Sequence, residues 1–295
     1  EPVITLSEEL GFDAEYQSHL GNFDAHIATS IPGFREVQAA VGEALVKSYG
    51  ADTDVLDIGA SEGALIKTIS SRSDGNIRTV GVDPNVAMAE TFSAGPSVEG
   101  AQYEVAAFGA ADQENEIAWR EGDGTVIRYY QPDRKFDVVH EAMVFQFISK
   151  DREPQIRRMK EMAKDDGLVI IEEKIFDDEK ETRKQWNKNE SKKDKFKRQY
   201  FIRKDITKKR EETLVGMHER MISTAETENI LASNFRAVAQ FWDSGNFKGY
   251  VAYDSPTALN KFLSNLQSLK SDFSTVKTPR HLARRFSLDE TQAPR

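Results

Sequence analysis

One ten-residue segment constrains the fold of this chain more than any other. Residues 54–63 read Asp-Val-Leu-Asp-Ile-Gly-Ala-Ser-Glu-Gly, an apolar run that ends in an acid and a glycine-rich turn. Val55, Leu56 and Ile58 suit a strand that is buried on both faces, as in a parallel sheet. The small residues of the turn let the backbone approach a ligand more closely than larger side chains would allow. The segment therefore predicts a first β-strand that delivers the chain to a bound nucleotide.

A second acid supports this interpretation. Residues 79–83 read Thr-Val-Gly-Val-Asp, another short apolar run that ends in a carboxylate, Asp83. In a doubly wound sheet, an acid at this position accepts hydrogen bonds from the hydroxyls of a ribose. Glycines after an apolar run also occur in ordinary tight turns, so the first segment alone leaves that alternative open. The two segments together favour a nucleoside-containing ligand.

The spacing of the small residues distinguishes between cofactors. A dinucleotide fingerprint reads Gly-x-Gly-x-x-Gly and holds a pyrophosphate at a helix N-terminus. Here the acid Asp57 is followed by Gly59, Ser61 and Gly63 at every second position. A carboxylate at the end of the strand would repel a phosphate and attract a cationic sulfonium amino acid. The pattern therefore favours an adenosyl cofactor with a sulfonium centre.

This combination resembles the class I S-adenosylmethionine-dependent methyltransferases. The resemblance implies that the glycine loop wraps the methionine part of the cofactor, that Asp83 holds the ribose and that the chain after the third strand faces the adenine. Phe108 could stack on the adenine ring, and packing in the core is the alternative. The residues predicted to bind S-adenosyl-L-methionine, or its carboxylated derivative, are Phe34, Asp57, Gly59, Ala60, Ser61, Gly63, Asp83, Pro84, Ala107, Phe108, His140 and Arg210.

The alternation of short apolar runs with helical patterns predicts an α/β fold. We expect a Rossmann-like, seven-stranded, mostly parallel sheet with helices on both faces, closed by an antiparallel hairpin at Gly245-Asn246. The expected strands after the first two are residues 103–107, 136–140, 168–172, 235–242 and 248–253, with a helix over 34–48 and an inserted hairpin over 113–131. Residues 1–254 are predicted to form a single domain with a basic helical insertion at about 176–230, and residues 255–295 a helix and a flexible tail beyond Thr278.

The amino-acid composition limits the possible reactions and the possible cellular location of the protein. The chain has 295 residues, 39% of them hydrophobic, which is enough for a sizeable core. No run approaches the roughly 18 apolar residues that span a bilayer, and the chain does not begin with a basic segment followed by an apolar one. We therefore expect a cytoplasmic protein without membrane contact. The absence of cysteine excludes thiolate metal sites and cysteine nucleophiles, and hence cytosine C5 methylation. We expect no metal site.

Two residues at the end of the fourth predicted strand are candidates for catalysis. Ligands in open α/β sheets bind outside the carboxyl ends of the strands, where His140 and Glu141 are expected. Methyl transfer from a sulfonium is an in-line displacement, and a base is needed only when the nucleophile carries a proton. Either residue could supply that base; a histidine satisfied by backbone groups is the alternative. The sequence here is not the Asp/Asn-Pro-Pro-aromatic motif of DNA amino-methyltransferases, which argues against methylation of DNA bases.

Motifs outside the cofactor segments are similar to those of the carboxy-S-adenosylmethionine synthases. They are Ser30-Ile-Pro-Gly-Phe34, Phe145-Gln-Phe147, Glu172-Glu-Lys174, Lys209-Arg210 and Trp242-x4-Asn246-Phe247, and the similarity runs over about residues 23–253. The resemblance implies an enzyme that decarboxylates prephenate and traps the carboxyl group on the cofactor's methyl, for a partner enzyme that modifies tRNA wobble uridines. It also implies a homodimer and an arginine, Arg210, that grips the added carboxylate bidentately.

Three features depart from that family. Its tyrosine after Pro-Gly is Phe34, its asparagine after the fourth strand is Glu141 or Ala142, and the acid after its third strand is replaced by Ala106 and Ala107. A charged Glu141 beside a bound carboxylate would be repulsive. We therefore expect methyl transfer to a small polar or anionic acceptor, with carboxyl transfer as the alternative.

The cations are unevenly distributed along the chain. The formal net charge of -9 argues against wholesale nucleic-acid binding, yet residues 180–210 are dense in lysine and arginine. We expect this basic segment to be a solvated helix that folds over the site as a lid. A nucleic-acid-binding protein on the same fold is a third hypothesis, in which Trp186, Phe196 and Tyr200 would stack on bases.

Overall fold

The computed structural model describes residues 27–28, 30–109, 117–120, 122–176, 182–212, 218–266, 269–270 and 274–281. Their strands are β1 (Thr53–Ile58), β2 (Ile77–Asp83), β3 (Ala101–Val105), β4 (Ile117–Arg120), β5 (Val126–Arg128), β6 (Phe136–Ala142), β7 (Ala163–Lys174), β8 (Ala237–Ser244), β9 (Phe247–Tyr253), β10 (Leu269–Lys270) and β11 (Thr275–His281). Their main helices are α1 (Phe34–Ser48), α2 (Ala64–Arg72), α3 (Val86–Ala94), α4 (Arg152–Met162), α5 (Thr182–Lys197), α6 (Arg203–Glu212), α7 (Thr224–Asn234) and α8 (Pro256–Asn265), with a 3-10 helix at Phe145–Phe147. Within these ranges no helix combines the length and the apolar character that crossing a bilayer requires.

Nine of these strands form one sheet in the order β10-β11-β8-β9-β7-β6-β1-β2-β3. β1 pairs in parallel with β2 and β6, β2 with β3, and β6 with β7, whereas β9 runs antiparallel between β7 and β8. The seven strands from β8 to β3 are thus mostly parallel, and the predicted fold class is confirmed. β4 and β5 form a separate antiparallel pair within the inserted hairpin, and α5 and α6 lie in the basic insertion.

The far edge of the sheet is longer than the sequence suggests. β11 pairs antiparallel with β8 and places Thr278 inside a strand, at the point where the sequence predicts the start of a polar tail. Two contacts anchor this region, because Val276 is buried and Trp242 Nε1 donates a hydrogen bond to Ser274 Oγ at 2.8 Å. Residues 282–295 lie outside the described residues, and the domain boundaries stay a prediction.

The sheet has an apolar core on each face. On one face, α1, α2 and α8 pack Val41, Ile69 and Phe262 against the strands. On the other face, α4 and α7 contribute Ile156 and Leu231. β1 lies between the two cores and is buried along its whole length, as its apolar run predicts. The parallel pairing brings the carboxyl ends of β1, β2, β6 and β7 to one edge, which is where open α/β sheets bind ligands.

Candidate active site

The glycine-rich loop between β1 and α2 is tied to β2 by backbone hydrogen bonds. The amides of Gly59 and Ala60 both donate to the carbonyl oxygen of Val82, at 2.7 and 3.1 Å. The Tyr103 hydroxyl on β3 donates to the carbonyl oxygen of Ser61 at 2.5 Å. These bonds hold the loop in one conformation, so that a ligand would meet a preorganised backbone.

Two positions of this loop require glycine. Gly59 and Gly63 have φ angles of +68° and +78°, in the left-handed region that residues with side chains seldom adopt. A Cβ atom on Gly59 would collide with the side chain of Val144, and one on Gly63 would collide with the ring of Phe92. The small residues of the motif are therefore set by the path of the backbone as well as by any ligand.

Asp83 ends β2 and faces the same loop. Its Oδ2 atom accepts a hydrogen bond from the Ser61 amide at 3.2 Å, and its Oδ1 atom accepts one from the Asn85 amide at 2.9 Å. Burial raises the pKa of Asp83 to about 7, although the two backbone hydrogen bonds lower it. Carboxylate oxygens have two lone-pair sites each, so this group can still accept two ribose hydroxyls.

A buried histidine lies between two carboxylates at the ends of β1, β6 and β7. His140 Nδ1 is 2.7 Å from Asp57 Oδ1, and His140 Nε2 is 3.4 Å from Glu172 Oε2. Glu172 also accepts a hydrogen bond from the side chain of Gln38 on α1. Burial lowers the pKa of His140, but Asp57 and Glu172 together raise it to about 10. We call Asp57, His140 and Glu172 the histidine cluster, which holds an imidazolium at neutral pH.

Glu141 projects to the other face of the sheet, because neighbouring side chains alternate along a strand. Its Oε2 atom accepts a hydrogen bond from the Val144 amide at 3.2 Å. Burial, and after it the charge of Glu173, raise the pKa of Glu141 well above its usual range. Glu173 itself is paired with Arg152 at 3.1 Å. Burial therefore favours the uncharged form of Glu141, which weakens the repulsion that the sequence predicts there.

Both catalytic candidates lie inside a strand. The sequence predicts that the fourth strand ends at His140, but β6 continues to Ala142, because His140 and Glu141 pair with Ile170 and Ile171 of β7. The two side chains are 1% and 0% exposed. Because both side chains are buried and their pKa values are raised, the structure favours a positioning role. Whether either residue acts in catalysis stays a prediction.

The predicted adenine contacts follow β3. The Ala107 amide donates to the carbonyl oxygen of Arg128 at 2.8 Å, and its carbonyl oxygen accepts from the Tyr130 amide at 2.7 Å. The ring of Phe108 is buried and stacks on Phe145, with the ring centroids 5.6 Å apart. The structure therefore favours the core-packing alternative for Phe108, and an adenine contact by Ala107 or Phe108 stays a prediction.

The remaining predicted cofactor residues are spread along the chain. Phe34 begins α1 and packs, partly buried, against the core on that face. Pro84 is partly buried and directly follows Asp83. Arg210 lies in α6, and its side chain is outside the described residues. Cofactor contacts by these three residues stay predictions. In the part of the chain that the structure describes, no group of three or more His, Asp and Glu side chains is placed to hold a metal ion.

The structure also contains a buried ionic cluster that the sequence did not predict. Lys174 Nζ, at the end of β7, is 3.3 Å from Glu190 Oε1 on α5. Lys193 Nζ, one turn further along α5, is 2.5 Å from Glu190 Oε2. Asn246, in the turn between β8 and β9, donates to Glu190 Oε1 at 2.9 Å. We call Lys174, Glu190, Lys193 and Asn246 the lysine cluster.

Burial distinguishes this lysine cluster from the exposed cations around it. Lys174, Lys193 and Glu190 are 1%, 6% and 8% exposed, whereas the neighbouring Lys192 is exposed. Burial, and then the charge of Lys193, lower the pKa of Lys174 well below its usual range. The sequence holds one signal of the cluster, an acid three residues before a lysine within a basic helix. No local sequence pattern predicts that Lys174 contacts Glu190 and Lys193.

Comparison with known proteins agrees with this geometry. Residues 56–169 match the family described as "Methyltransferase domain". The matched residues begin in β1 and end in β7. The predicted resemblance, the enzyme class, an S-adenosylmethionine-dependent methyltransferase, and the cofactor, S-adenosylmethionine, are thereby confirmed.

Two curated relatives are similar over most of this chain. A carboxy-S-adenosyl-L-methionine synthase from a Nitratiruptor species is 29% identical over 182 residues, which are 61% of this chain and 67% of the relative. A carboxy-S-adenosyl-L-methionine synthase from Campylobacter curvus is 26% identical over 236 residues, 78% of this chain and 90% of the relative. Both carry the name of the family that the sequence motifs resemble.

Solved methyltransferase structures share the fold. The plantazolicin methyltransferase BpumL in complex with SAH has a TM-score of 0.56 at 9% sequence identity, covering 85% of this chain and 94% of that one. An O-methyltransferase family protein from Burkholderia thailandensis has a TM-score of 0.53 at 11% identity, covering 85% and 63%. At these identities the likeness concerns the fold alone, which is the class I methyltransferase fold.

Proposed function

We propose that this methyltransferase transfers a methyl group from S-adenosylmethionine to a small polar or anionic acceptor. The observation that supports this most is the Asp83 carboxylate, which the amides of Ser61 and Asn85 hold beside the ordered glycine loop. Both ribose hydroxyls of an adenosyl cofactor can donate to a carboxylate held in this way. The loop then leads the methionine part of the cofactor towards Asp57.

The charge of the histidine cluster supports the same cofactor. Two carboxylates, Asp57 and Glu172, surround one imidazolium, His140, so that the cluster carries one surplus negative charge. In a buried site such a charge attracts a cation more strongly than it would in water. The sulfonium of S-adenosylmethionine provides that cation, whereas a pyrophosphate would be repelled.

In the proposed reaction the protein aligns the reactants and leaves proton transfer to the acceptor. A lone pair of the acceptor forms a bond to the methyl carbon while the carbon–sulfur bond breaks and its electrons return to sulfur. The pKa values of His140 and Glu141 are both raised, which favours their protonated forms and makes neither group suited to take a proton from the acceptor. An acceptor atom that is already deprotonated suits this site, which favours an anionic or otherwise proton-free nucleophile.

Calorimetry with S-adenosylmethionine tests the cofactor assignment. We expect saturable binding to the wild-type protein and an affinity about tenfold or more lower for Asp83→Asn, because an amide replaces one acceptor oxygen with a donor. Asp74→Asn, in an exposed turn, is the matched control and should bind as the wild type does. If the wild-type protein does not bind S-adenosylmethionine, the proposed function is wrong.

Carboxyl transfer onto the cofactor is the second candidate. The names of the two relatives support it, and so does the raised pKa of Glu141, which weakens the repulsion that argued against a bound carboxylate. Mass spectrometry of ligands released from the purified protein separates the two candidates. Carboxy-S-adenosylmethionine, lost in Arg210→Ala, would support carboxyl transfer; S-adenosylmethionine or its demethylated product alone would support methyl transfer.

We further propose a small-molecule acceptor, a cytoplasmic location and a homodimer, rather than a nucleic-acid-binding protein. The burial of Lys193 and Lys197 supports a small-molecule acceptor, because two cations of the basic segment are then not accessible to the phosphate backbone of a nucleic acid. An RNA affinity that falls steeply with salt concentration would contradict the small-molecule acceptor, since that dependence is typical of contacts to phosphates. Light scattering of the full chain tests the homodimer.

A further inference from the structure

The histidine cluster connects helix α1 to the acid of the glycine loop. Asp57 lies opposite His140 in the register of β1 and β6. Glu172 pairs with Ala142, which is two residues beyond His140 on β6. Side chains at such positions project to the same face of the sheet, because their directions alternate along a strand. That face is the one that α1 covers, where Gln38 donates a hydrogen bond to Glu172.

Asp57 is the least buried member of the histidine cluster. It is 5% exposed, whereas His140 and Glu172 are 1% and 0% exposed. His140 Nδ1 engages the Oδ1 atom of Asp57 at 2.7 Å. Among the residues that the structure describes, no hydrogen bond engages the other carboxylate oxygen of Asp57, Oδ2. A carboxylate can accept at both oxygens, so Oδ2 is available to a donor group of a ligand.

We propose that His140 holds Asp57 in position for the α-ammonium group of the cofactor, and that Glu172 and Gln38 are positioning residues behind His140. This inference rests on the proposed function, in which the methionine part of the cofactor lies beside Asp57. Of the two charged groups on that part, a carboxylate such as Asp57 attracts the ammonium and repels the carboxylate. A hydrogen bond to one oxygen of Asp57 fixes the direction of the other, so the site is preorganised before the cofactor binds.

The far side of the imidazole depends on Glu172 and Gln38. His140 Nε2 is 3.4 Å from Glu172 Oε2, and the Gln38 side chain donates to the same oxygen. The Oε1 atom of Glu172 is buried and has no hydrogen-bond partner within the described part of the chain. The orientation of Glu172 therefore depends on the two contacts at Oε2. Loss of Gln38 should loosen Glu172 and His140, and through them Asp57.

Two ligands without a sulfonium isolate the contribution of the methionine part. Methylthioadenosine and S-adenosylhomocysteine share the adenosine and the thioether, but only the second carries the amino-acid group. In Gln38→Leu, calorimetry should show an affinity for S-adenosylhomocysteine about three- to tenfold lower, the range expected for one hydrogen bond, and an unchanged affinity for methylthioadenosine. Ala39→Leu introduces the same side chain at the adjacent, exposed position, and this matched control should bind both ligands as the wild type does.

Variants of His140 test the middle of the same chain of contacts. An asparagine at this position keeps an amide nitrogen that can donate to Asp57, whereas a leucine has no donor. The affinity for S-adenosylhomocysteine, relative to that for methylthioadenosine, should therefore fall less in His140→Asn than in His140→Leu. Gln38 is only partly buried, so Gln38→Leu should fold and give a result even where a variant of His140 does not.

A purely structural role of Gln38 predicts a different result. A general disturbance of the glycine loop would lower the affinities of Gln38→Leu for both ligands equally, and that outcome would overturn the inference. Wild-type affinity of Gln38→Leu for S-adenosylhomocysteine would overturn it as well. If the wild-type protein binds S-adenosylmethionine in either case, only the positioning role is wrong. If the wild-type protein does not bind S-adenosylmethionine, the methyltransferase proposal itself fails.

Discussion

The histidine cluster and the lysine cluster are both buried ionic groups, but they are built differently. The first is formed across three parallel strands, where Asp57 lies directly opposite His140 in the sheet register. The second joins the end of one strand to α5 in the basic insertion. The comparison shows two ways of burying charge at one edge of the sheet, within neighbouring strands or between a strand and a covering helix.

The two clusters also differ in what they support. The histidine cluster links β1, β6 and β7 and, through Gln38, the helix α1, so it belongs to the framework of the domain. The lysine cluster holds a covering helix against the turn at Asn246. We therefore expect the loss of His140 from the histidine cluster to lower stability more than the loss of Lys174 from the lysine cluster.

The largest expected effect is that of His140→Gln. The variant leaves Asp57 and Glu172 buried without a counter-charge, which should lower the free energy of unfolding by about 3–5 kcal/mol in chemical denaturation at neutral pH. Lys174→Met serves as the comparison and should change the free energy of unfolding by less than about 1 kcal/mol. Equal losses in the two variants would contradict the distinction between a cluster in the framework and a cluster that holds a covering helix.

The dependence of stability on pH tests whether His140 is an imidazolium in the folded protein. The pKa of His140 is raised from 6.5 to about 10 in the folded protein, so the native state holds a proton that the unfolded state releases between these values. The stabilisation that the protonated His140 contributes is complete below about pH 6.5 and is lost as the pH rises towards 10. The difference in unfolding free energy between wild type and His140→Gln should therefore shrink over this range. A constant difference would argue against the imidazolium.

Glu190→Gln tests the lysine cluster by removing the carboxylate that its two lysines share. The variant leaves two buried lysines without their shared carboxylate and should lower the free energy of unfolding by about 2 kcal/mol. Adding Lys174→Met removes one of the two lysines that contact Glu190, so the double variant should regain part of the loss. A double variant that is less stable than Glu190→Gln would show that repulsion between Lys174 and Lys193 does not explain the loss.

A smaller effect is expected for the loop beside the histidine cluster. Gly59→Ala places a side chain in the left-handed region and against Val144, which should lower the free energy of unfolding by about 1–2 kcal/mol and weaken cofactor binding. Gly122→Ala is the control, because an added Cβ atom there meets nothing within 4 Å. Wild-type cofactor affinity in Gly59→Ala would show that the backbone path matters less than proposed.

The smallest effect concerns the ionisation of Asp83. Its pKa of about 7 in the ligand-free protein means that part of the population is protonated at neutral pH. The ribose hydroxyls need the carboxylate, so the affinity for S-adenosylmethionine should rise with pH, by up to about tenfold per unit below pH 7, and level off above it. Calorimetry from pH 6 to 8 measures this slope, which should be flatter in Asp83→Asn.

Much of the fold follows from local patterns. The apolar run of residues 54–58 predicts a doubly buried strand, and the glycines at 59 and 63 predict the tight turn, because their backbone angles exclude most other residues. The antiparallel β9 follows from the turn at Gly245, which also has a positive φ angle. β11 was not predicted, because a polar exposed-looking run becomes a strand only when an existing edge such as β8 can pair with it.

The sequence by itself determined the class of the fold, the glycine loop and the two acids that end β1 and β2, because periodicity, glycine geometry and strand ends are local properties. Only the tertiary structure decided the charge states and the lysine cluster. Gln38 meets Glu172 across 134 residues, and Asn246 meets Glu190 across 56. The protonation of His140 and Glu141 depends on such distant partners and on burial, since pKa values follow the surroundings of a group and not its neighbours in sequence.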